Sequence, residues 1–361
     1  MKHFVFFLTI ATIALVSCSK DETTGVNQGL GIEFRPSIGK NAITRAVETT
    51  NANLQSIYVT AFDNGGNFKF SDEFTKEADP SVFWTAAPRF YFWPADGSQY
   101  TFHAYSPAST DLGGTMTLTK TEKKLSEFSP KANINEQKDF IVANATGSKA
   151  NEASGVALAF KHALSQVQVK AKNANGGYVY KVKGVRIGSV GSKGDFIFPL
   201  TDNSWTLDAA HTKANYQSEY TTEISLANES KDLMGADGNA MLIPQQLVAW
   251  TPESDKPNTK KGAYLAVKIN IVTKDGAQIY PATQGEYDWA AVAIDTNWKP
   301  GKKYVYTLDF SNGAGKVDPE KPTPVVPTDP FNPGEDILGS PIKFTVDVTP
   351  WEEDVPQNVN M

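Results

Sequence analysis

Ser56-Ile57-Tyr58-Val59-Thr60-Ala61-Phe62-Asp63-Asn64-Gly65-Gly66-Asn67-Phe68-Lys69-Phe70 is the stretch on which the fold class turns. Residues 56–62 are mostly β-branched, aromatic or small, residues 63–67 are types that tolerate positive φ, and an aromatic return begins at Phe68. Two such runs joined by so short a polar link read as a β-hairpin. The same pattern recurs outward from it. Runs rich in Val, Ile, Tyr, Phe and Thr at 89–93, 99–105, 115–119 and 139–144 are separated by Gly, Asn, Asp and Pro. A second set follows at 156–160, 166–171, 179–187, 195–199, 204–207, 240–244, 264–272 and 304–310. No long segment carries a helical period. Short helices are expected only as connectors, at 160–165 and 287–293. The chain is therefore expected to be all-β and of sandwich type. Its 361 residues suffice for two cores. The loop at 145–154 marks the expected boundary, with one sandwich over 46–155 and a second over 156–316.

The N-terminus sets the compartment. Lys2 and His3 precede an apolar run over 4–16 that is too short to span a bilayer, which is the form of a signal peptide. It ends in Leu15-Val16-Ser17-Cys18, which resembles a bacterial lipobox, with an aliphatic residue three before the cysteine and a small one directly before it. Cys18 is the single cysteine of the chain and the expected lipid attachment, and residues 1–17 are the leader to be removed. With Cys18 acylated, no thiol remains for a disulfide, a metal or a nucleophile. Several acyl chains on one residue make a stable anchor rather than a span. Ser19-Lys20-Asp21-Glu22 then looks like the Lys-acidic-acidic tag of surface-exposed Bacteroidetes lipoproteins. Residues 18–45 form a tether leading into a strand. In it Leu30, Ile32 and Phe34 alternate with Gly31, Glu33 and Arg35 as half-buried residues do. Thr44-Arg45-Ala46 follows, either a cut site for a trypsin-like protease or an ordinary arginine in a linker.

At the other end, Pro319, Pro322, Pro324, Pro327, Pro330, Pro333 and Pro341 make 317–341 read as a stiff spacer that cannot join a sheet ladder. Fully extended it would reach roughly 75 Å, against about 40 Å for the diameter of a domain of this size. Beyond it, in 342–361, Ile342, Phe344, Val346 and Val348 alternate with Lys343, Thr345, Asp347 and Thr349 before Pro350 and Trp351. This is one well-patterned strand with no neighbouring partner in sequence. It has two destinations, its own second domain or another copy.

The formal net charge of −6 becomes −7 once the leader takes Lys2 with it, and no basic patch offers nucleic acid a footprint. His103, His162 and His211 are isolated from one another, and HExxH, P-loop, GxSxG and dinucleotide motifs are missing from the sequence. No enzyme activity, metal or cofactor is therefore assigned, and His103 and His162 are read as packing or hydrogen-bonding residues. Phe83, Trp84, Phe90, Tyr91, Phe92 and Trp93 could stack on a sugar, but aromatics on strands are more often core. The same reading applies to Trp205, Trp250, Trp289 and Trp298.

Several pieces in order resemble the fimbrillin family of Bacteroidales, specifically its fimbrillin-like, Mfa-type fimbrial subunits. They are Phe34 through Thr44-Arg45-Ala46, Tyr91-Phe92-Trp93-Pro94, Phe102-His103-Ala104-Tyr105 and Asp139-Phe140-Ile141-Val142-Ala143. The second half adds Phe160-Lys161-His162-Ala163-Leu164-Ser165, Ile243-Pro244-Gln245, Trp298-Lys299-Pro300-Gly301, Tyr304-Val305-Tyr306 and the terminal strand through Trp351. The resemblance implies two tandem transthyretin-like β-sandwiches and a pilus subunit or adhesin at the outer membrane surface. It implies cleavage between Arg45 and Ala46, loss of the N-terminal strand, and filling of the vacated groove by the C-terminal strand of another subunit. Ile342, Phe344, Val346, Val348 and Trp351 would be the donor residues. Burial of the four alternating apolar residues would contribute a gross of roughly 6–12 kcal/mol. The implied partners are other pilus subunits, the outer membrane through the lipid, and a host or bacterial surface ligand. The alternative is a non-polymerising surface lipoprotein that binds glycan, for which aromatic rings exposed in one cleft would be the sign.

Overall fold

A computed structural model describes residues 31–39, 49–78, 83–235, 238–322 and 330–351. The leader, Cys18, Arg45 and Ala46 lie outside the described residues. Within them the chain is all-β. Helical turns are confined to Ser109–Leu112, Ile134–Glu136 and Lys149–Asn151. No described helix is long and apolar enough to cross a membrane.

The first half closes into a ring of seven strands. In spatial order these are Phe34–Ile38, Trp84–Thr85, Phe68–Lys76, Ser56–Asp63, Tyr100–Ser106, Ile141–Gly147 and Val156–His162, the last pairing back to the first. The hairpin read from sequence is its centre, with Ser56↔Thr75 through Phe62↔Phe68 in register. At the turn the Asp63 carboxylate accepts the backbone N–H groups of Gly65 and Asn67, both at 2.9 Å. Alternation puts Ile57, Val59, Ala61, Phe74, Phe102, Ala104 and Leu158 on the inner face, all fully buried.

The second half holds two sheets around one large core. One runs Lys213–Ser225, Tyr178–Gly191, Tyr264–Thr273, Asp288–Ala293, Lys316–Val317, with Gln278–Tyr280 added on Tyr264–Thr273. The other runs Lys231–Asp232, Ser165–Lys172, Lys302–Asp309, Lys343–Pro350, with Ala240–Leu242 also on Ser165–Lys172. A fourth sheet, ordered Trp205–Leu207, Gly194–Ile197, Lys123–Phe128, Thr115–Leu118, takes two strands from each half. Beneath it Phe128, Phe140, Phe196 and Met241 share a separate apolar cluster.

Several expectations change. The boundary expected after 155 falls inside the ring, because Val156–His162 pairs with both Ile141–Gly147 and Phe34–Ile38. Residues 160–165 are not a helix: they end that strand and begin Ser165–Lys172. Residues 287–293 are not a helix either. Asp288–Ala293 pairs on both sides, with Tyr264–Thr273 and Lys316–Val317, and a place inside a sheet overrides the helix preference of its alanines. Residues 89–93, expected as a strand, form a loop held by Tyr91, whose ring stacks on Phe70 at 4.0 Å. The expected free spacer is packed against the second half at several of its described residues, while Pro322, Pro330 and Pro341 stay exposed. Val317, Asp318 and Ile337 are buried, Gly334 N–H donates to Val317 O at 3.0 Å, and Ile337 N–H donates to Gly315 O at 3.0 Å. The apolar residues between the prolines have core to cover, and that gain outweighs extended chain in water.

Candidate functional site

The N-terminal strand lies in a deep apolar slot. Ile32, Phe34 and Ile38 are buried, and the Phe34 ring meets Phe74 edge-on at 4.8 Å and Phe102 at 5.1 Å. Its ladder is one-sided. It runs parallel to Val156–His162 over five residues, from Phe34↔Val156 to Ile38↔Phe160, but touches Trp84–Thr85 only at Phe34↔Trp84. Pro36, mid-strand, has no N–H to give either neighbour. Asn51 closes the end of the strand, accepting Ile38 N–H at 2.7 Å and donating to Ile38 O at 2.8 Å. Three side chains of this kind contribute about 1.5–3 kcal/mol each on burial, so the strand is held mainly by packing.

One residue works against that seat. Glu33 is buried at 5% exposure, and its Oε2 has no hydrogen-bond partner. Burial, reinforced by the Glu77 carboxylate, pushes its pKa up to about 7. Near neutrality the strand therefore carries a carboxyl that must either keep its proton or ionise in a dry place.

The terminal strand, Lys343–Pro350, docks in cis on Lys302–Asp309, antiparallel from Asp309↔Lys343 to Lys302↔Pro350. It is an edge strand, and its apolar stripe is only partly covered. Ile342 and Trp351 are buried, Phe344 and Val346 are half-buried, and Val348 is 52% exposed. Ile342 fits because Gly315 faces it: a Cβ at that residue would lie 2.7 Å from Ile342 Cδ1, and its φ of +75° also favours glycine.

The backbone at Thr49 and the end of the terminal strand meet one buried pair. His162, the last residue of the ring, shares a hydrogen bond with Asp139 between Nδ1 and Oδ2 at 2.8 Å, both residues being 2% exposed. The same Asp139 oxygen accepts the backbone N–H of Thr49 at 2.9 Å, where the described chain resumes after residues 40–48. On its other side the His162 ring stacks on Trp351 at 4.2 Å with planes 7° apart, and Trp351 N–H donates to Gly301 O at 2.9 Å. Asp139 and His162 stand in separate stretches of the sequence, and no spacing rule links residues 23 apart. In the sequence Glu33 is simply the polar member of an alternation.

The remaining expectations sort by burial. His103 is buried, bonded to Asn144, and held down to about 4 by burial and by nearby Lys123. Phe83, Trp84, Trp250, Trp289 and Trp298 are core, whereas Phe90 and Phe92 are 49% and 64% exposed on a loop. Among the described residues no three His, Cys, Asp or Glu side chains could hold a metal.

A family model described as fimbrillin-like matches residues 44–327. The chain belongs to the fimbrillin-like family. Among relatives of this fimbrillin-like chain, the fimbrium subunit Fim1C of Phocaeicola vulgatus is 24% identical over 363 residues, covering 87% of this chain and 93% of that protein. A crystal structure of a candidate cell adhesion protein from Parabacteroides distasonis covers 90% of the fimbrillin-like chain and 97% of its own, with a TM-score of 0.50 at 8% identity. A candidate cell adhesion protein from Bacteroides ovatus matches over 90% and 99% of the two chains, with a TM-score of 0.45 at 15% identity. At such identity the Parabacteroides structure is a likeness of fold.

Proposed function

We propose that this fimbrillin-like chain is a structural subunit or adhesin of a cell-surface fimbria, made as a precursor tethered to the outer membrane by lipid on Cys18 and polymerised by strand exchange. It acts as a building or adhesive element, not as an enzyme. In this reading a protease cuts between Arg45 and Ala46, the strand Phe34–Ile38 leaves, and the slot accepts Ile342, Phe344, Val346 and Val348 of another copy. The two halves then act as tandem transthyretin-like bodies, one offering the acceptor slot and the other the donor. The partners are further subunits, the membrane and a surface ligand.

The observation that carries this reading is a mismatch in burial. The slot buries the apolar side chains of its occupant, Ile32, Phe34 and Ile38, while the terminal strand keeps Phe344, Val346 and Val348 partly in water. Moving those three side chains from an exposed edge into the slot gains about 1 kcal/mol or more for each, on top of a ladder supplied mainly by Val156–His162. An open slot presents unpaired ladder groups and apolar surface, which favours refilling.

The test is limited trypsin treatment of the mature chain, with mass spectrometry locating the cut and gels reading the product. Cutting after Arg45 is expected to convert monomer into a denaturant-resistant ladder that disappears when residues 342–361 are deleted. A chain cut there that stays monomeric would sink the proposal.

A further inference from the structure

We propose that a cleft in the second half, independent of the strand-exchange site, binds an acidic carbohydrate, a sugar with a carboxylate beside free hydroxyls. The cleft has a volume of about 620 Å³, within the range of small-ligand sites. Its walls are the irregularity at Ser189 in Tyr178–Gly191, residues 210–215 where a loop leads into strand Lys213–Ser225, the loop at 260–261, and Glu320.

Three observations point to a built site. The first is backbone strain. Only four described non-glycine residues have positive φ, and three of them, Ser189, His211 and Lys261, line this cleft. Such conformations persist only where the surroundings over-determine them. Here the surroundings are explicit. Buried Asn258 donates to Gly262 O at 2.7 Å, accepts Gly262 N–H at 2.8 Å, and reaches Ser189 Oγ at 3.4 Å, so one side chain pins two walls. Asn215 Oδ1 accepts Ser189 N–H at 2.8 Å, and the buried Asp255 carboxylate accepts Lys260 N–H at 3.1 Å.

The second observation is charge. Lys213, Lys260 and Lys261 line the cleft against the single carboxylate of Glu320, although the chain is net negative. Lys213 is half-buried, has no ion-pair partner among the described residues, and burial holds its pKa below the usual lysine range with no opposing carboxylate to restore it. A desolvated ammonium without a counter-ion is costly until an anion arrives.

The third is an acceptor set among the lysines. Glu320 lines the cleft with its side chain partly exposed, and its Oε2 faces Lys261 at 3.6 Å. A carboxylate repels an anion but accepts a ligand hydroxyl. Glu320 is fixed from behind, its N–H donating to Asp318 Oδ1 at 2.9 Å while Asp318 pairs with Arg186 at 3.0 Å. A ligand with a carboxylate for Lys213 and a hydroxyl for Glu320 answers both needs, and that combination describes an acidic sugar.

The test is calorimetric titration of the full mature chain with four probes: a glucuronate-terminated and a sialic-acid-terminated oligosaccharide, a neutral glucose-terminated one, and succinate as a carboxylate without hydroxyls. Binding is expected for at least one acidic oligosaccharide and to weaken with added salt. Lys213→Gln should weaken it about ten-fold or more, as for loss of a charged hydrogen bond. Lys213→Arg, which keeps the charge, should stay close to wild type and guards against misfolding of the first variant. The proposal is overturned if neither acidic oligosaccharide binds, if the neutral one or succinate binds as tightly, or if Lys213→Gln leaves affinity unchanged. None of these results depends on whether the chain polymerises.

Discussion

At the scale of single residues, Glu33 sets how firmly the N-terminal strand is held. Its folded-state pKa is raised from 4.5 to about 7. The stability it contributes is therefore complete below pH 4.5 and is lost as pH rises through 7. Glu33→Gln, which mimics the protonated form, is expected to raise Tm clearly over wild type at pH 8 and hardly at all at pH 4. An equal gain at both pH values, read by thermal denaturation, would show that ionisation of Glu33 is not the cause. The strand proposed to leave is thus seated less firmly at and above neutral pH than in acid, by a residue the sequence presents as an ordinary polar position.

At the scale of elements, the N-terminal and terminal strands differ in what they bury rather than in their patterns. Both alternate apolar and polar residues, and both were legible as strands. Phe34 and Ile38 reach the closed inner face of the ring, while Phe344, Val346 and Val348 lie along an open edge. Substituting both Phe344 and Val346 with Asp should therefore cost the monomer little, about 1–2 kcal/mol for partly exposed side chains, yet abolish the ladder after cleavage at Arg45. The comparison is between Tm of the uncut variant and its gel pattern once cut. If ladders persist, the terminal strand is not the donor.

At the scale of the whole molecule, Asp139 and His162 connect three places distant in sequence: the backbone at Thr49, the end of the ring, and the seat of Trp351. His162→Ala removes a stacked ring and leaves a buried carboxylate short of a partner, a loss of roughly 2–3 kcal/mol. Its distinctive effect should be local. Amides of Lys343–Pro350 are expected to exchange faster than in wild type, while those of Tyr264–Thr273 are little changed. Uniform acceleration across both strands would mean that His162 supports global stability alone. The fourth sheet, with two strands from each half, and the cluster of Phe128, Phe140, Phe196 and Met241 beneath it also couple the halves, so the molecule is less divided than two sandwiches in series.

The sequence by itself determined the all-β class, the hairpin at 56–70, the alternation of the two end strands and the family, because period-two burial and turn chemistry are local properties of neighbouring residues. It misread 287–293, where alanines favour a helix until two flanking strands enclose them, and 317–341, where proline content concealed the buried Val317 and Ile337. Only tertiary structure decided that the terminal strand of the single chain folds back in cis, that Val156–His162 closes the ring, and that Asp139 meets His162 and Ser189 meets Asn258. Each of these is a pairing between residues far apart in the chain. Their energies come from burial and hydrogen bonds that exist only after the backbone has closed, so no local pattern carries them.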